Sequence, residues 1–282
     1  PDILHAQTSR SHTHLWFTRM LLVSPPPLIV SRRVAFRPRG GLKYRSGVAH
    51  YIPISKAAAE GLSSVGVTSE RMTIVPSGVE VDRFSTATGD ERLLEEWGIE
   101  SGITLIGTIA ALEREKGLLT LIEAAEEIVK KKSDCVFLVI GEGSLRGELE
   151  SGIRRRGIGG RIIILPQTAP LQEILPLFDV YVQPSLEEGL STALIAAAAA
   201  GLPIVAADTG GMPEIIGDDG GLLVAPGDSE ALKAGIARLL DDEDLKGQIS
   251  ERARRRALAF DIERTILGTL SVYHRILGRQ IP

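Results

Sequence analysis

Glu188 and Gly189 end a polar loop that runs into an alanine-rich stretch, and Gly201-Leu202-Pro203 stops that stretch ahead of the apolar run Ile204–Ala207. The spacing predicts a strand–loop–helix–strand unit. The start of such a helix carries unpaired N–H groups and a partial positive charge, aimed at whatever the loop holds. A phosphate is the natural guest. The Glu188 carboxylate beside it would repel a phosphate, so it is better suited to accept hydrogen bonds from sugar hydroxyls. A phosphate cradle next to a hydroxyl acceptor points to a nucleotide-sugar site. Lys116 precedes Gly117 and an amphipathic run, and its ammonium can neutralise a diphosphate leaving group. Each group also has a plainer reading: Lys116 as a solvated lysine, Gly189, Leu190 and Ser191 as an ordinary helix start capped by Ser191, and Glu188 as a capping acid. Glu187, one residue earlier, is expected to face solvent.

Other clusters carry less chemistry. Gly141-Glu-Gly143-Ser-Leu-Arg-Gly147 approximates a dinucleotide fingerprint, but it does not follow the first strand of its sheet and its third glycine is one residue late. It reads as a tight turn at Gly141 that lets a nucleotide approach the backbone. Asp242-Glu243-Asp244 has the Asp-x-Asp pattern of metal-dependent sugar transfer, yet it sits in an acidic helix–helix connection and reads as a solvated helix start. With no His/Cys cluster at metal-ligand spacing, no metal and no cofactor are expected.

The elements that must position these groups alternate short apolar runs with longer amphipathic ones, the pattern of parallel α/β layers. Strands are predicted at Ile3–His5, Leu28–Val30, Tyr51–Ile54, Thr104–Thr108, Val136–Ile140, Ile162–Leu165, Val180–Gln183, Ile204–Ala206 and Leu222–Val224. Helices are predicted over Ser11–Leu22 and Lys56–Ser64, then near 117–131, 144–156, 170–178, 190–200, 229–240 and 243–259, with a last one over Ile262–Leu277. Such repetition builds a doubly wound sheet. With 282 residues the chain can hold two domains, and 44% apolar content supplies a core. The linker is placed near residues 79–90. Cys135 is the only cysteine, which excludes an intrachain disulfide and fits a reducing compartment. It lies in an apolar run and reads as core. The apolar stretches fall short of a membrane span.

Charge is segregated. Residues 3–59 contain no Asp or Glu but carry Arg10, Arg19, Arg32, Arg33, Arg37, Arg39, Lys43, Arg45 and Lys56, in a chain of net charge −4. This is either a solvated basic face or a surface that meets an anionic acceptor or anionic lipid headgroups, the latter through residues 32–45. Nucleic acid is not expected, because no stacking aromatics interleave the charges.

The segment Pro184–Pro203 resembles the donor-site motif of the retaining glycosyltransferases of family 4. Four further segments resemble that family in the same order along nearly the whole chain: Met72–Phe84, Glu115-Lys116-Gly117 with Leu118–Ala125, Val139–Gly143 and Gly210-Gly-Met-Pro-Glu214. The resemblance implies a GT-B fold of two Rossmann-like domains. Residues 1–85 would form the acceptor-side domain, apparently lacking its N-terminal part. Residues 86–260 would bind the nucleotide-diphosphate sugar, and 261–282 would form a helix packing back on the first domain. It further implies catalytic roles for Lys116 and Glu188, and donor contacts from Lys116, Gly141, Leu165, Pro166, Gln167, Glu188, Gly189, Leu190, Ser191 and position 196. In that scheme the backbone at Leu165–Gln167 meets the nucleobase. Two positions depart from the pattern. The family's second Glu, which holds the donor ribose, is replaced by Ala196, and the Arg five residues before its lysine by Ala111. The first bears on donor affinity rather than on the fold. At the end of the first strand the family often has His-x-His, whose second histidine lines the cleft. Here Gln7 holds that place, and it can bond a hydroxyl but carry no proton. Arg10 and His12 are the nearby acceptor-side candidates, with structural or surface roles open to both.

The sequence therefore reads as a metal-independent glycosyltransferase of glycan or lipopolysaccharide assembly, cytoplasmic, with the inner membrane face as a second possibility. The alternative is an impaired or non-catalytic member or fragment acting as a binding module, which Ala196 and Gln7 motivate. A nucleotide-sugar epimerase is a third, weaker reading.

Overall fold

Two parallel sheets, one of three strands and one of six, organise the computed structural model, which describes residues 1–38 and 41–278. Arg39, Gly40 and residues 279–282 lie outside the described residues, and with them part of the basic stretch and the end of the terminal segment. The first sheet is built from β1 (Leu4–Ala6), β2 (Leu28–Arg32) and β3 (His50–Pro53) in that order. Helices α1 (Ser9–Met20), α2 (Leu42–Arg45) and α3 (Lys56–Ser63) accompany it. Short helices α4 (Val81–Ser85) and α5 (Arg92–Glu96) lead on to the second sheet.

That sheet alternates β4 (Thr104–Ile109), α6 (Leu118–Lys131), β5 (Cys135–Ile140), α7 (Arg146–Arg156), β6 (Ile162–Leu165), α8 (Leu171–Ile174), β7 (Val180–Gln183), α9 (Thr192–Ala200), β8 (Ile204–Ala207), α10 (Met212–Ile216) and β9 (Leu222–Val224), followed by α11 (Ser229–Asp241) and α12 (Glu243–Ala257). Its strand order is β6-β5-β4-β7-β8-β9, all parallel. This is the doubly wound order, in which the chain starts in the middle, winds one way and then the other. The crevice opens where the winding reverses, at the carboxyl ends of β4 and β7. The loops leaving those two strands carry Lys116 and Glu188.

Helices cover both faces, so the central strands read as unbroken apolar runs, and every residue of β5 is buried. Cys135 is buried there, with its thiol pushed up by burial. Helix α9 is alanine-rich because it is nearly enclosed, with Leu194 to Ala199 buried and α12 and α4 packed against it. Gly201 ends it in the left-handed conformation at φ 76°.

The last helix, α13 (Ile262–Leu277), crosses back to the first sheet. Val272 is buried against Ile29, Ile52 and Val75. Arg275 Nη2 donates to His50 Nε2 and Thr73 Oγ1, both at 2.7 Å. His50 accepts there as the neutral imidazole, pushed down to about 4 by burial and by Arg275 and Arg71.

Predicted and observed elements differ mainly at short helices. α2, α4, α5 and α10 have four or five residues, too few to show a helical period. The helix expected over 170–178 is α8 plus a 3₁₀ turn at Leu175–Leu177, where Pro176 has no N–H to continue the α ladder.

Candidate functional site at the switch point

The β4 and β7 loops are stitched backbone to backbone. The Glu115 carbonyl accepts from the amides of Leu186 (2.8 Å) and Glu187 (3.2 Å). Gly117 holds a left-handed φ of 65°, and a Cβ there would lie 2.0 Å from the Pro184 carbonyl oxygen. The glycine is needed both for its conformation and for this close approach. The stitching brings Lys116 Nζ to 2.7 Å from Glu188 Oε2, with the two side chains 21% and 12% exposed. A pair this enclosed loses much of the screening that makes surface ion pairs weak.

A buried polar network fixes the ground beneath the pair. Tyr181 Oη donates to Gln183 Oε1 (2.9 Å), Ser191 Oγ to the same oxygen (3.1 Å), and Gln183 Nε2 to Ser185 Oγ (3.0 Å). Ser191 also caps α9, its hydroxyl accepting from Leu194 N at 3.1 Å. The capping reading of Ser191 is thus correct in geometry, and it orients the helix start rather than competing with it. The amides of the first turn have no intrahelical acceptor. A second turn braces Glu188 and Gly189 from below: a Cβ on Gly210 would lie 1.6 Å from the Glu188 carbonyl oxygen and one on Gly211 2.5 Å from that of Gly189. From the same turn Glu214 reaches across to the first sheet, where its Oε1 accepts from Lys56 N at the start of α3 (2.7 Å). Burial pushes the Glu214 carboxyl above the usual range, against the pull of those amides.

Three cavities surround these groups. The first, about 550 Å³, is lined by Lys116, Glu187, Glu188, Gly189 and Thr209 from one side and by Arg33, Val34 and Phe36 from the other. At its wall the two halves touch, since a Cβ on Gly189 would lie 2.2 Å from the Arg33 carbonyl oxygen. The second, about 530 Å³, lies over the ends of β4 and β5, lined by Ala110, Ala111, Gly141, Gln167, Thr192 and Ala193 among others. The third, about 440 Å³, belongs to the first sheet and includes Gln7, Ser9, His12, Arg32 and Tyr44. It shares Arg33, Val34 and Phe36 with the first.

Most of the expected residues converge, and some do not. Glu187 is exposed at the mouth of the first cavity. Leu190 is buried in the core, so only its backbone is available to a ligand. Of the expected nucleobase trio, Gln167 lines a cavity; Leu165 packs against the core and bonds Gly141 N through its carbonyl, and Pro166 is exposed. Ala196 is 1% exposed and lines none of the three cavities, one turn inward of Thr192 and Ala193, which do. Of the residues expected on the acceptor side, Gln7 and His12 line the third cavity, while Arg10 is exposed and lines none of the three. His12 is 1% exposed, lies 3.2 Å from the Lys43 carbonyl and is pushed down to about 4, by burial first and then by Lys43. It sits there as a neutral ring. The basic stretch 32–45 is not one exposed face, because Arg32 is 6% exposed and turned inward. Asp242 caps α12 by accepting from Leu245 N (2.9 Å), the helix-start role expected of it. Among the described residues no group of His, Cys, Asp and Glu has a metal-binding arrangement, and no helix is long and apolar enough to cross a membrane. The sequence reading missed Glu214 and the Arg33–Phe36 wall. The Gly-Gly-Met-Pro-Glu motif marked the first; the second lies in the basic stretch 32–45, which marked charge but not a cavity wall.

Comparison with known proteins gives the family and the fold. Residues 90–256 match the model of the family described as glycosyl transferases group 1. A 2-deoxystreptamine glucosyltransferase of Streptomyces kanamyceticus is 30% identical over 227 residues, which cover 77% of this chain and 58% of that protein. The chain thus spans under two thirds of that relative's length. A glycosyltransferase of Rickettsia africae superposes with a TM-score of 0.86 at 20% identity, covering 99% of this chain and 78% of that one. Anabaena HepE, solved with UDP and glucose, superposes at 0.85 and 21% identity, covering 96% and 77%. At these identities the superpositions establish the fold, which is GT-B-like with parallel α/β sheets.

The stitching of the two loops is testable without any ligand. Gly117→Ala forces a side chain into the left-handed region and against the Pro184 carbonyl, a loss of at least about 1–2 kcal/mol. In a chain of this size the melting temperature should drop by at least about 2–4 °C. An unchanged melting temperature would show that the β4 and β7 loops are not in contact at this point.

Proposed function

The chain belongs to the glycosyl transferases of group 1, and from that membership we propose that it moves a sugar from a nucleotide-diphosphate donor to an acceptor with retention of configuration. In this reading residues 86–260 form the donor domain and residues 1–85 the acceptor side, with α13 tying the two together. The observation that carries it is the 2.7 Å contact between Lys116 and Glu188 at the switch point, beside the start of α9.

An incoming diphosphate competes with Glu188 for the Lys116 ammonium. Once Lys116 turns to the phosphates, the Glu188 carboxylate is released to accept hydrogen bonds from the sugar. Donor binding therefore arms both groups in one exchange. As the glycosidic bond to the diphosphate breaks, negative charge grows on the leaving oxygen. The α9 amides face that charge already oriented, Lys116 joins them once it has turned, and stabilisation of the leaving group supplies much of the rate. The ribose and base fit the cavity over β4 and β5, which Gly141 and Gln167 line and where Thr192 and Ala193 present the helix start. The UDP carried by HepE, whose fold this chain shares, supports a nucleoside diphosphate as guest.

Lys116→Gln removes a charge-assisted contact worth about 1.5–3 kcal/mol. Affinity for UDP, GDP or ADP, whichever binds the parent, should fall by about tenfold or more in calorimetry. Undiminished affinity in a folded variant would remove Lys116 from the phosphate site.

Position 196 tests whether the donor site is a weakened one. A side chain there tilts toward the helix start, and a glutamate has the length to reach past Ala193 to a ribose. Ala196→Glu is expected to tighten nucleoside diphosphate binding by about tenfold, after desolvation and ordering reduce the gross gain. Melting temperature is measured alongside, because a carboxylate left buried without a partner would destabilise the fold. Unchanged affinity with intact folding would mean that position 196 does not face the ribose.

A further inference from the structure

Arg32 is the most unusual charge in the molecule. It ends β2, is 6% exposed, and lines the cavity of the first sheet. Its Nε is buried and has no hydrogen-bond partner, while its Nη2 donates to the Phe36 carbonyl, and the guanidinium carbon lies 5.0 Å from the centre of the Phe36 ring. Arg32 has no ion-pair partner among the described residues, and residues 3–59 contain no acid to supply one. A buried guanidinium without a counter-charge is costly to maintain. Buried donors in native proteins are otherwise nearly all paired.

The surroundings add positive charge instead of cancelling it. Lys43 Nζ is held on α1 by Thr13 Oγ1 at 2.8 Å, with Ser9 Oγ at 3.5 Å. Burial and the nearby Arg32 both lower its pKa. His12, the neutral ring in the same cavity, is lowered by both cations as well as by burial. The 12-residue helix α1 also begins here: Thr8, its N-cap, and Ser9, its first residue, line the cavity, and no acid sits in its first turn. A helix start and a buried guanidinium thus share one cavity of about 440 Å³, and the Lys43 ammonium lies beside it, next to Ser9 of its lining.

We propose that this cavity is a phosphate subsite formed by Arg32 and the α1 helix start with Lys43 beside them, and that it holds a phosphate group carried by the acceptor. A dianion matches two cations and a helix dipole, which a single carboxylate does not. The cavity meets the Lys116–Glu188 cavity at Arg33, Val34 and Phe36. A molecule anchored by its phosphate at Arg32 can therefore present a hydroxyl toward the transferred sugar. The acceptor role rests on the proposed transfer reaction; the phosphate site itself does not. The phosphate belongs either to a soluble phosphate ester or to a lipid headgroup. Both supply the same chemistry.

The test uses inorganic phosphate as the probe and a Lys116→Gln background, so that the donor site does not report in its place. Calorimetry should detect phosphate binding in that protein, weakened by about tenfold or more when Arg32→Gln or Lys43→Gln is added. The Lys43 variant guards against misfolding of the Arg32 variant, and melting curves are recorded for both. Nucleoside diphosphate affinity, measured with Lys116 intact, should be unchanged by either substitution. If diphosphates fail to bind the parent while phosphate binding still needs Arg32, the transfer reading falls and the phosphate site stands. Co-sedimentation with phosphatidylglycerol but not phosphatidylcholine vesicles, lost in both variants, assigns the phosphate to a lipid headgroup. Phosphate binding without vesicle binding assigns it to a soluble ester. Binding indifferent to both substitutions, or no binding of phosphate or vesicles at all, overturns the proposal.

Discussion

The enclosed ion pair between Lys116 and Glu188 is the constraint on which the site is arranged. Its two members are separated by most of the six-stranded sheet in sequence and lie 2.7 Å apart in space. That distance exists because β4 and β7 are neighbours at the point where the sheet changes direction. It also needs Gly117 and Gly210, where any side chain would push the loops off the carbonyls of Pro184 and Glu188. Below the pair, the hydroxyls of Tyr181 and Ser191 and the amide of Gln183 satisfy one another in the core. A polar network fully paired in this way is rigid, and the loop above it inherits that rigidity. The loops that carry the two charges are thus held in position before any ligand arrives.

The second sheet was readable because its physics is local. Parallel strands covered on both faces are runs of apolar residues, and all six were located to within about a residue. The order of motifs placed the site on the loops after β4 and β7. What sequence did not reveal is non-local. Glu214 meets the amide of Lys56, 158 positions earlier, and no spacing rule connects a carboxylate to a helix start in another layer. Arg32 looked like one member of a surface charge run, but β2 is the central strand of its sheet and carries it inward. Leu165 and Pro166 followed the motif to the right turn, yet the turn offers Gln167 to the cavity. The four- and five-residue helices α2, α4, α5 and α10 were invisible because they are too short for a helical repeat to show.

Across the crevice the two halves meet at several specific contacts. Glu214 sits on the α3 start, Gly189 lies against the Arg33 backbone, and α13 is anchored on the first sheet by Val272 and by Arg275 on His50. Two of these contacts come from the loops that frame the site. A ligand that rearranges the Glu188–Gly189 loop therefore acts directly on the seam between the halves. The shared wall of Arg33, Val34 and Phe36 joins the cavity of the first sheet to the one at the switch point.

The central claim is that the switch-point loops hold a diphosphate, and not merely a nucleoside. Titration calorimetry of the unaltered chain with UDP, GDP and ADP, each against its own monophosphate, tests it most directly. The account predicts that at least one diphosphate binds, and binds about tenfold or more tighter than the matching monophosphate, because the second phosphate is the one that meets Lys116. If no diphosphate binds, or the monophosphate binds as tightly, the site is not a diphosphate cradle and the account is wrong.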